Sequence, residues 1–333
     1  MKDNQAMAIT NLEISMRGRW VRVPALDIGG KSIVVTGSLM KLAVIHDEEW
    51  LESELDDPEW CVRELKTCPA NGLKADIFTF AQKLPATRPK YPYAMEWDSV
   101  AAIRLTSFTD WWEKRLPQET RKNARRAAKR GVVVRIQILD DAMIKGIVAL
   151  NNDSPIRQGV AFSHYGKTPD EVRKDYSSFS DRSDLICAYL GDELIGLMKV
   201  VYSGETAAIL YLLTKSSHYD KRPANALIAR AVERCDQRGI SYVTYGKYRY
   251  GNKGQSSLLE FKSRNGFEEI LLPRFYVPLT MKGKVGMKLQ LHRGLVGILP
   301  QSAIGLGVSI RTKWSKFRLA PGRCSSMVEQ PKL

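Results

Sequence analysis

The chain has 333 residues, 44% of them apolar and 26% charged, which is long enough for two compact domains and excludes wholesale disorder. Five cysteines (Cys61, Cys68, Cys187, Cys235, Cys324) form no CxxC pair, and His46, His164, His218 and His292 lack ligand spacing. That argues against a disulfide scaffold or a metal cofactor and for a reducing cytoplasm, while the net charge of +15 favours anionic partners without choosing among them.

The first ten residues are polar and lack the apolar centre of an export signal. Short strands are predicted at 20–24, 31–35 and 41–44. Asp57 before Pro58 reads as an N-cap followed by proline at the first helical position, opening a helix to residue 66. Strands follow at 75–80 and 100–106, and Trp97, Trp111 and Trp112 read as core and helix packing. Over 119–130 a helix repeats Arg121/Arg125/Lys129 and Lys122/Arg126/Arg130 at four-residue spacing, opposite Ala124, Ala127 and Ala128. This basic face is either a solvated surface or an anion contact, tRNA included, because six cations so close repel unless something negative is near. Gly131 ends the helix and a β-branched strand follows.

Helices are predicted at 140–151 and 169–177, then strands at 185–190, 193–202 and 206–214. Gly191-Asp192 and Ser203-Gly204-Glu205 are short enough to force antiparallel hairpins. The period then switches: Leu227, Ile228, Ala231, Val232 and Cys235 share one helical face, and Gly239 stops that helix. A strand at 240–245, a helix at 256–265 closed by Gly266 and a strand at 267–277 complete the order. The expectation is an α/β protein built on an α+β mixed sheet, an antiparallel meander followed by a right-handed parallel crossover.

That order, the helix start near Pro223, the strand ending in Tyr245-Gly246 and the segment Phe261-Lys262-Ser263-Arg264-Asn265-Gly266-Phe267 resemble the GNAT (N-acetyltransferase) superfamily. The Phe-Lys pair before the glycine and the basic helix 121–130 are similar to the Fem-type (FemAB-like) branch, whose members carry tandem GNAT-like lobes and add aminoacyl groups to cell-wall precursors. The resemblance implies an N-terminal α/β lobe at 1–136 (a degenerate GNAT-like fold), a GNAT-like acyltransferase lobe at 137–280 and a basic tail at 281–333. It implies transfer of an acyl or aminoacyl group to an amine on a small molecule or a cell-envelope or polysaccharide precursor. The donor would be an acyl-CoA such as acetyl-CoA, or an aminoacyl-tRNA, used at the inner face of the membrane.

Two departures stand out. The turn before the crossover helix, Asp220-Lys221-Arg222-Pro223-Ala224-Asn225-Ala226, has none of the glycines whose bare N–H groups cradle a pyrophosphate, so Lys221 and Arg222 would hold phosphate by side chain, with Ala224 and Asn225 at the helix start. The tyrosine that often protonates the leaving thiolate in GNAT enzymes falls at Phe261, which has no proton to give. The catalytic candidates are a backbone N–H near Tyr211 and Leu212 for the oxyanion, Lys262 as a cation beside the reacting group, and Tyr245. Acceptor candidates are Arg157, His164 and Tyr165, between the first two helices, and Tyr248 and Tyr250 in the loop after the Tyr245 strand, where open sheets place ligands. No carboxylate stands out as a general base; Glu205 and Glu260 are merely nearest in sequence.

In the tail, the 17 uncharged residues between Arg293 and Arg311 contain Pro300 and four glycines, too broken for a spanning helix. Trp314 and Phe317 lie among Arg311, Lys313, Lys316 and Arg318, a pattern suited to an anionic membrane surface, to a disordered tail or to RNA. Two other readings of the chain stay open: a GNAT-shaped binding module without catalysis, and a basic RNA-binding protein.

Overall fold

The computed structural model describes residues 9–16, 19–67, 73–157, 160–249 and 257–293; Tyr250, Trp314, Phe317 and the tail beyond Arg293 lie outside them. The N-terminal half contains β1 (Ile9–Met16), β2 (Arg19–Ile28), β3 (Lys31–Thr36), β4 (Leu42–Ile45), α1 (Pro58–Thr67), β5 (Ile77–Ala81) and β6 (Ala94–Arg104). The short helix α2 (Phe108–Asp110) runs into a π-helical turn, Trp111–Arg115, and then α3 (Gln118–Lys129). The C-terminal half comprises β7 (Val132–Gln137), α4 (Asp141–Asn151), the two-residue strands β8 (Ile156–Arg157) and β9 (Val160–Ala161), and α5 (Pro169–Ser177). It continues with β10 (Ser183–Leu190), β11 (Glu193–Ser203), β12 (Thr206–Thr214), α6 (Pro223–Gln237), β13 (Tyr242–Lys247), α7 (Ser257–Arg264), β14 (Glu268–Pro278) and α8 (Met281–Lys288).

Twelve strands make one sheet in the order β1-β2-β3-β4-β5-β14-β6-β13-β12-β11-β10-β7. Read inward from either edge, the pairing is the same. β1 to β4 are antiparallel neighbours and β5 is parallel to β4, while β7, β10, β11 and β12 are antiparallel neighbours and β13 is parallel to β12. The last strands are exchanged: β14 pairs with β5, and β6 pairs with β13. Each half therefore completes the other's sheet.

The mixed sheet expected from the sequence is present, and the meander is buried on both faces. Leu185, Cys187 and Leu197 point to α4 and α5, where Met143, Ile147, Val172 and Tyr176 meet them. Ile186, Ala188, Met198 and Val200 point the other way, onto Leu227, Ile228, Ala231 and Val232 of α6. Period-two alternation therefore divides one nearly continuous apolar run between two cores.

Three features differ from expectation. β1 exists although its residues alternate Thr, Asn, Glu and Ser with apolar ones, because as an edge strand it buries only Ile14. β6 begins at Ala94 rather than at residue 100, and Trp97 on it is 49% exposed, so only Trp111 of the three tryptophans is true core while Trp112 is partly buried. α8 is hidden in the sequence by its two glycines, yet Gly283 is what lets it lie flat: an added Cβ would sit 1.9 Å from the Asp76 carbonyl oxygen.

The basic helix α3 is largely compensated locally. Glu113 takes Arg121 at 2.6 Å and Arg125 at 3.8 Å, and Glu119 takes Arg126 at 3.2 Å. The guanidinium of Arg125 also lies 5.6 Å from the Trp112 ring centroid, and Arg130 donates to the Asp220 carbonyl.

Candidate active site

β12 and β13 run together for only three residue pairs, Thr206 with Tyr242, Ala207 with Val243 and Ala208 with Thr244. Just beyond, the register against β11 jumps from Ile209–Val200 to Tyr211–Lys199, leaving Leu210 as the extra residue of a bulge. A bulge bends its strand and adds twist, so β12 turns away from β13 where the parallel pairing stops. Between Leu212, Leu213 and Thr214 on one side and Tyr245 on the other opens a cleft of about 850 Å³, bounded also by α3, the start of α6 and α7.

The entry to α6 matches the sequence expectation only in part. Arg222, Ala224 and Asn225 line the cleft, whereas Lys221 does not and instead pairs with Asp220 at 3.1 Å. Arg222 holds a left-handed φ of 60° as N-cap, Pro223 has no N–H, and the N–H groups of Asn225 and Ala226 turn back on the Arg222 carbonyl. Asn225 is further committed, its amide donating to Asn265 Oδ1 at 3.0 Å and so joining α6 to α7. What this end of the cleft offers an anion is side-chain charge, from Arg222, from Arg157 and from Arg264, the last of which pairs with Glu260 at 2.5 Å.

Lys262 is used differently from the expectation. Its side chain is buried, does not line the cleft, and donates from Nζ to the carbonyls of Tyr245 at 2.5 Å and Lys247 at 2.6 Å. Burial lowers its pKa to about 8, while Glu49 pulls the other way. With β12 gone from alongside, the end of β13 has carbonyls in need of partners, and this cation supplies one. The same cation lies 4.6 Å from the Tyr245 ring centroid, fixing the ring that faces the cleft.

Of the acceptor candidates, Arg157 lines the cleft, its guanidinium 4.0 Å from the Phe162 ring centroid. His164 does not line it. Its ring packs edge-on against Tyr211 at 5.7 Å, and Nδ1 lies 3.7 Å from Asp175, a carboxylate already bound by Lys167 at 2.5 Å and Trp20 at 3.0 Å. Burial depresses the histidine's pKa, reinforced by Lys167 and opposed by Asp175, and its ring serves as packing. Tyr165 is 48% exposed outside the cleft, and Tyr248 packs partly against the core with its N–H on the Ser99 carbonyl. The Tyr211 ring packs tilted against Tyr176, centroids 4.6 Å apart, and does not line the cleft, so that residue has only backbone to offer there.

Glu48 and Glu49 carry no signal in the sequence. They sit on a 3₁₀ turn, Glu48–Trp50, just after β4. Glu49 Oε1 accepts the Gly246 N–H at 3.2 Å, a contact spanning 197 residues of sequence. A second cavity, about 140 Å³, is lined by Glu48, Glu49, Lys83, Asp98, Gly246 and Arg274 among others, so adjacent residues of β13 serve two openings, Tyr245 the cleft and Gly246 the small cavity. Glu49 is exposed at the surface, yet protein lies around it on several sides; that desolvation raises its pKa, against the Gly246 hydrogen bond and Lys262. Beside it Arg274 is held by Glu48 at 2.8 Å and Asp98 at 2.5 Å. Nothing local in Asp47-Glu48-Glu49-Trp50 announces this role; only the exchange of strands between the halves brings it to β13.

The sequence profile of the GNAT acetyltransferase domain matches residues 114–262, the span that supplies every wall of the larger cleft except the end of α7. Among solved structures the chain is similar to L-PGS from Bacillus licheniformis, with TM-score 0.53 and 14% identity over 81% of this chain and 87% of that one. It is similar also to a conserved protein of unknown function from Bacteroides thetaiotaomicron VPI-5482, with TM-score 0.52 and 10% identity over 77% and 86%. FemX aligns at TM-score 0.49 and 10% identity over 85% and 90%. No curated protein matches the chain in sequence. At such identities the structural likeness is one of fold, and the family match lies within the chain: residues 114–262 carry a GNAT acetyltransferase domain.

Proposed function

We propose that the chain transfers an acyl or aminoacyl group from a phosphorylated, activated donor in the large cleft to an amine that reaches the strand parting from the small cavity. The observation that carries this reading is the parting itself: a bulge at Leu210 opens β12 from β13 onto a cleft lined by Arg157, Arg222 and Arg264. The activated carbonyl lies across the parting, where a β12 backbone N–H near Leu212 stabilises the oxyanion; one such donor is typically worth roughly 3 kcal/mol. Glu49 takes a proton from the acceptor ammonium, the amine nitrogen bonds to the carbonyl carbon, and the bond to the donor's sulfur or oxygen breaks. Tyr245 donates the proton that the leaving group needs, a role Phe261 cannot fill, and recovers the second proton that the acylated nitrogen sheds as the neutral amide forms. Lys262 is a positioning residue that holds the Tyr245 and Lys247 carbonyls.

Acyl-CoA and aminoacyl-tRNA both carry phosphates, and this cleft would hold either through arginine side chains. The glycine-free α6 entry, with Pro223 lacking an N–H, fits a backbone-cradled pyrophosphate poorly. Together with the likeness of Phe261-Lys262 to the Fem-type branch, this favours an aminoacyl donor and an amine on a cell-envelope or polysaccharide precursor. On this reading residues 1–136 bring most of the acceptor side, Glu49 included, and 137–280 most of the donor side.

Incubating the purified chain with panels of acyl-CoAs and aminoacyl-tRNAs and following amine acylation by mass spectrometry tests the proposal. Transfer is expected from at least one donor, with kcat about 10²-fold lower for Tyr245→Phe and the donor KM raised for Arg222→Ala. A Tyr245→Phe enzyme as fast as wild type ends the assigned acid role. Donor binding without turnover across the panel would support a non-catalytic module instead.

A further inference from the structure

We propose that the outward face of α8, with the loop beside it, is a docking surface for an anionic lipid bilayer. α8 is capped by the Thr280 side chain, which accepts the Gly283 N–H at 3.0 Å. Met281, Val285 and Leu289 recur at four-residue spacing and are 70%, 52% and 61% exposed. The residues turned inward are Gly283 and Gly286, packed against the Asp76 carbonyl and the Met40 side chain. A helix that merely covers a domain turns its apolar stripe to the core. This one turns two glycines and the half-buried Met287 inward, and Met281, Val285 and Leu289 outward. Leu39, next in sequence to the Met40 that packs on Gly286, is 71% exposed and adds a further exposed apolar side chain outside the helix.

Charge selects the partner. At roughly 100° per residue, Lys284 and Lys288 flank the stripe on one side and Lys282 on the other. All three are exposed; Lys282 shares Asp76 at 3.2 Å, and α8 contains no acidic residue. From residue 281 to the end the chain has ten basic residues and one acidic, so the sequence C-terminal to α8 carries the same sign as the helix. An apolar stripe fenced by lysines fits a surface with negative headgroups above acyl chains, where aliphatic tips enter the boundary and ammonium groups stay at headgroup level. No described helix is long and apolar enough to cross a membrane.

The test is co-sedimentation of the full chain with vesicles of phosphatidylcholine alone or mixed with phosphatidylglycerol. Binding is expected only to the mixed vesicles and should fall as salt rises. The combined change Met281→Asp, Val285→Asp and Leu289→Asp should lower the bound fraction about tenfold, and Lys282→Gln, Lys284→Gln and Lys288→Gln should lower it several-fold and flatten the salt dependence. Leu39→Asp, outside the helix, should weaken binding as well, which guards against a variant that fails by unfolding α8. Acylation of a soluble amine by the same variants should be unchanged, separating this contact from the transfer chemistry. Absence of vesicle binding, or binding that survives the three aspartates and Leu39→Asp, overturns the proposal. So does a wild-type dimer that the aspartates dissociate, since the face would then belong to a second copy.

Discussion

The sheet contains two partings built alike, and only one is open. In the N-terminal half β4 and β5 pair in parallel from Leu42–Ile77 to Val44–Thr79 and then separate, as β12 and β13 do after Ala208–Thr244. At the first parting the turn after β4 folds back into the gap. Glu48 accepts the Ala81 N–H at 2.7 Å and binds Arg274, while Glu54 accepts the Lys83 N–H at 3.0 Å. At the second, the freed end of β13 is served from outside the gap, by Lys262 on its carbonyls and Glu49 on its Gly246 N–H, and the space between the strands stays empty. Parting two parallel strands always strands backbone polar groups. Whether a pocket results depends on where their partners come from. The closed parting supplies Glu49 to the open one, and under the proposed mechanism that gives the half with less likeness to a transferase a place in the chemistry.

The largest effect expected from this comparison separates two adjacent acids. Glu49→Gln should lower kcat about 10²- to 10⁴-fold with little change in the unfolding midpoint, the usual range for loss of a general base. Glu48→Gln should act on stability instead, because its carboxylate closes the first parting. If steady-state kinetics and thermal unfolding showed the reverse assignment, the division of labour between the partings would be wrong. Next comes Arg274→Met, which leaves Glu48 and Asp98 facing each other with only the longer Lys247–Asp98 pair, at 3.4 Å, to offset them. Breaking such a partly buried charge cluster costs about 3 kcal/mol, read as a lower denaturant midpoint, while turnover at saturating substrate persists. Gly266→Ala should come third. Gly266 ends α7, the helix that only the open parting has; its φ is +77° and an added Cβ would lie 2.7 Å from Trp111 Nε1. Left-handed strain plus that contact should cost about 2 kcal/mol in urea denaturation, and an unchanged midpoint would mean α7 ends differently.

Much of the open parting is legible in the sequence, and little of the closed one. The three strands of the meander and α6 announce themselves because hairpin turns and a switch of period are local signals, and Phe261 to Phe267 marks the end of α7. Arg157, Arg222, Ala224, Asn225 and Tyr245 do reach the cleft. Lys221, Tyr165 and His164 do not, because which way a turn residue faces depends on packing partners far away in the chain; for His164 those are Asp175 and Tyr211. The bulge at Leu210 leaves no trace in Ile209-Leu210-Tyr211-Leu212. Glu49 is invisible in the sequence for a topological reason: its partner strand joins the same sheet only after β6 and β14 change places. Lys262 stands out by pattern, yet the pattern does not name its carbonyl partners, since they exist only where β12 has left.

The smallest effect expected tests that last point. Lys262 is held in the folded protein at a pKa of about 8, below the 10.5 of an ordinary lysine, because burial disfavours its charge. Between those values the unfolded chain binds more protons at this site than the folded one, so this group's contribution to stability rises with pH and is level below 8. The stability gap between wild type and Lys262→Met should therefore grow in favour of wild type by about 1 kcal/mol from pH 7 to pH 9, against a background of other titrations common to both proteins. A gap that stayed constant in parallel urea titrations would mean an ordinary, solvated ammonium at this position. The two carbonyls of β13 would then need another partner, and the open parting would lose the clamp that keeps Tyr245 facing the cleft.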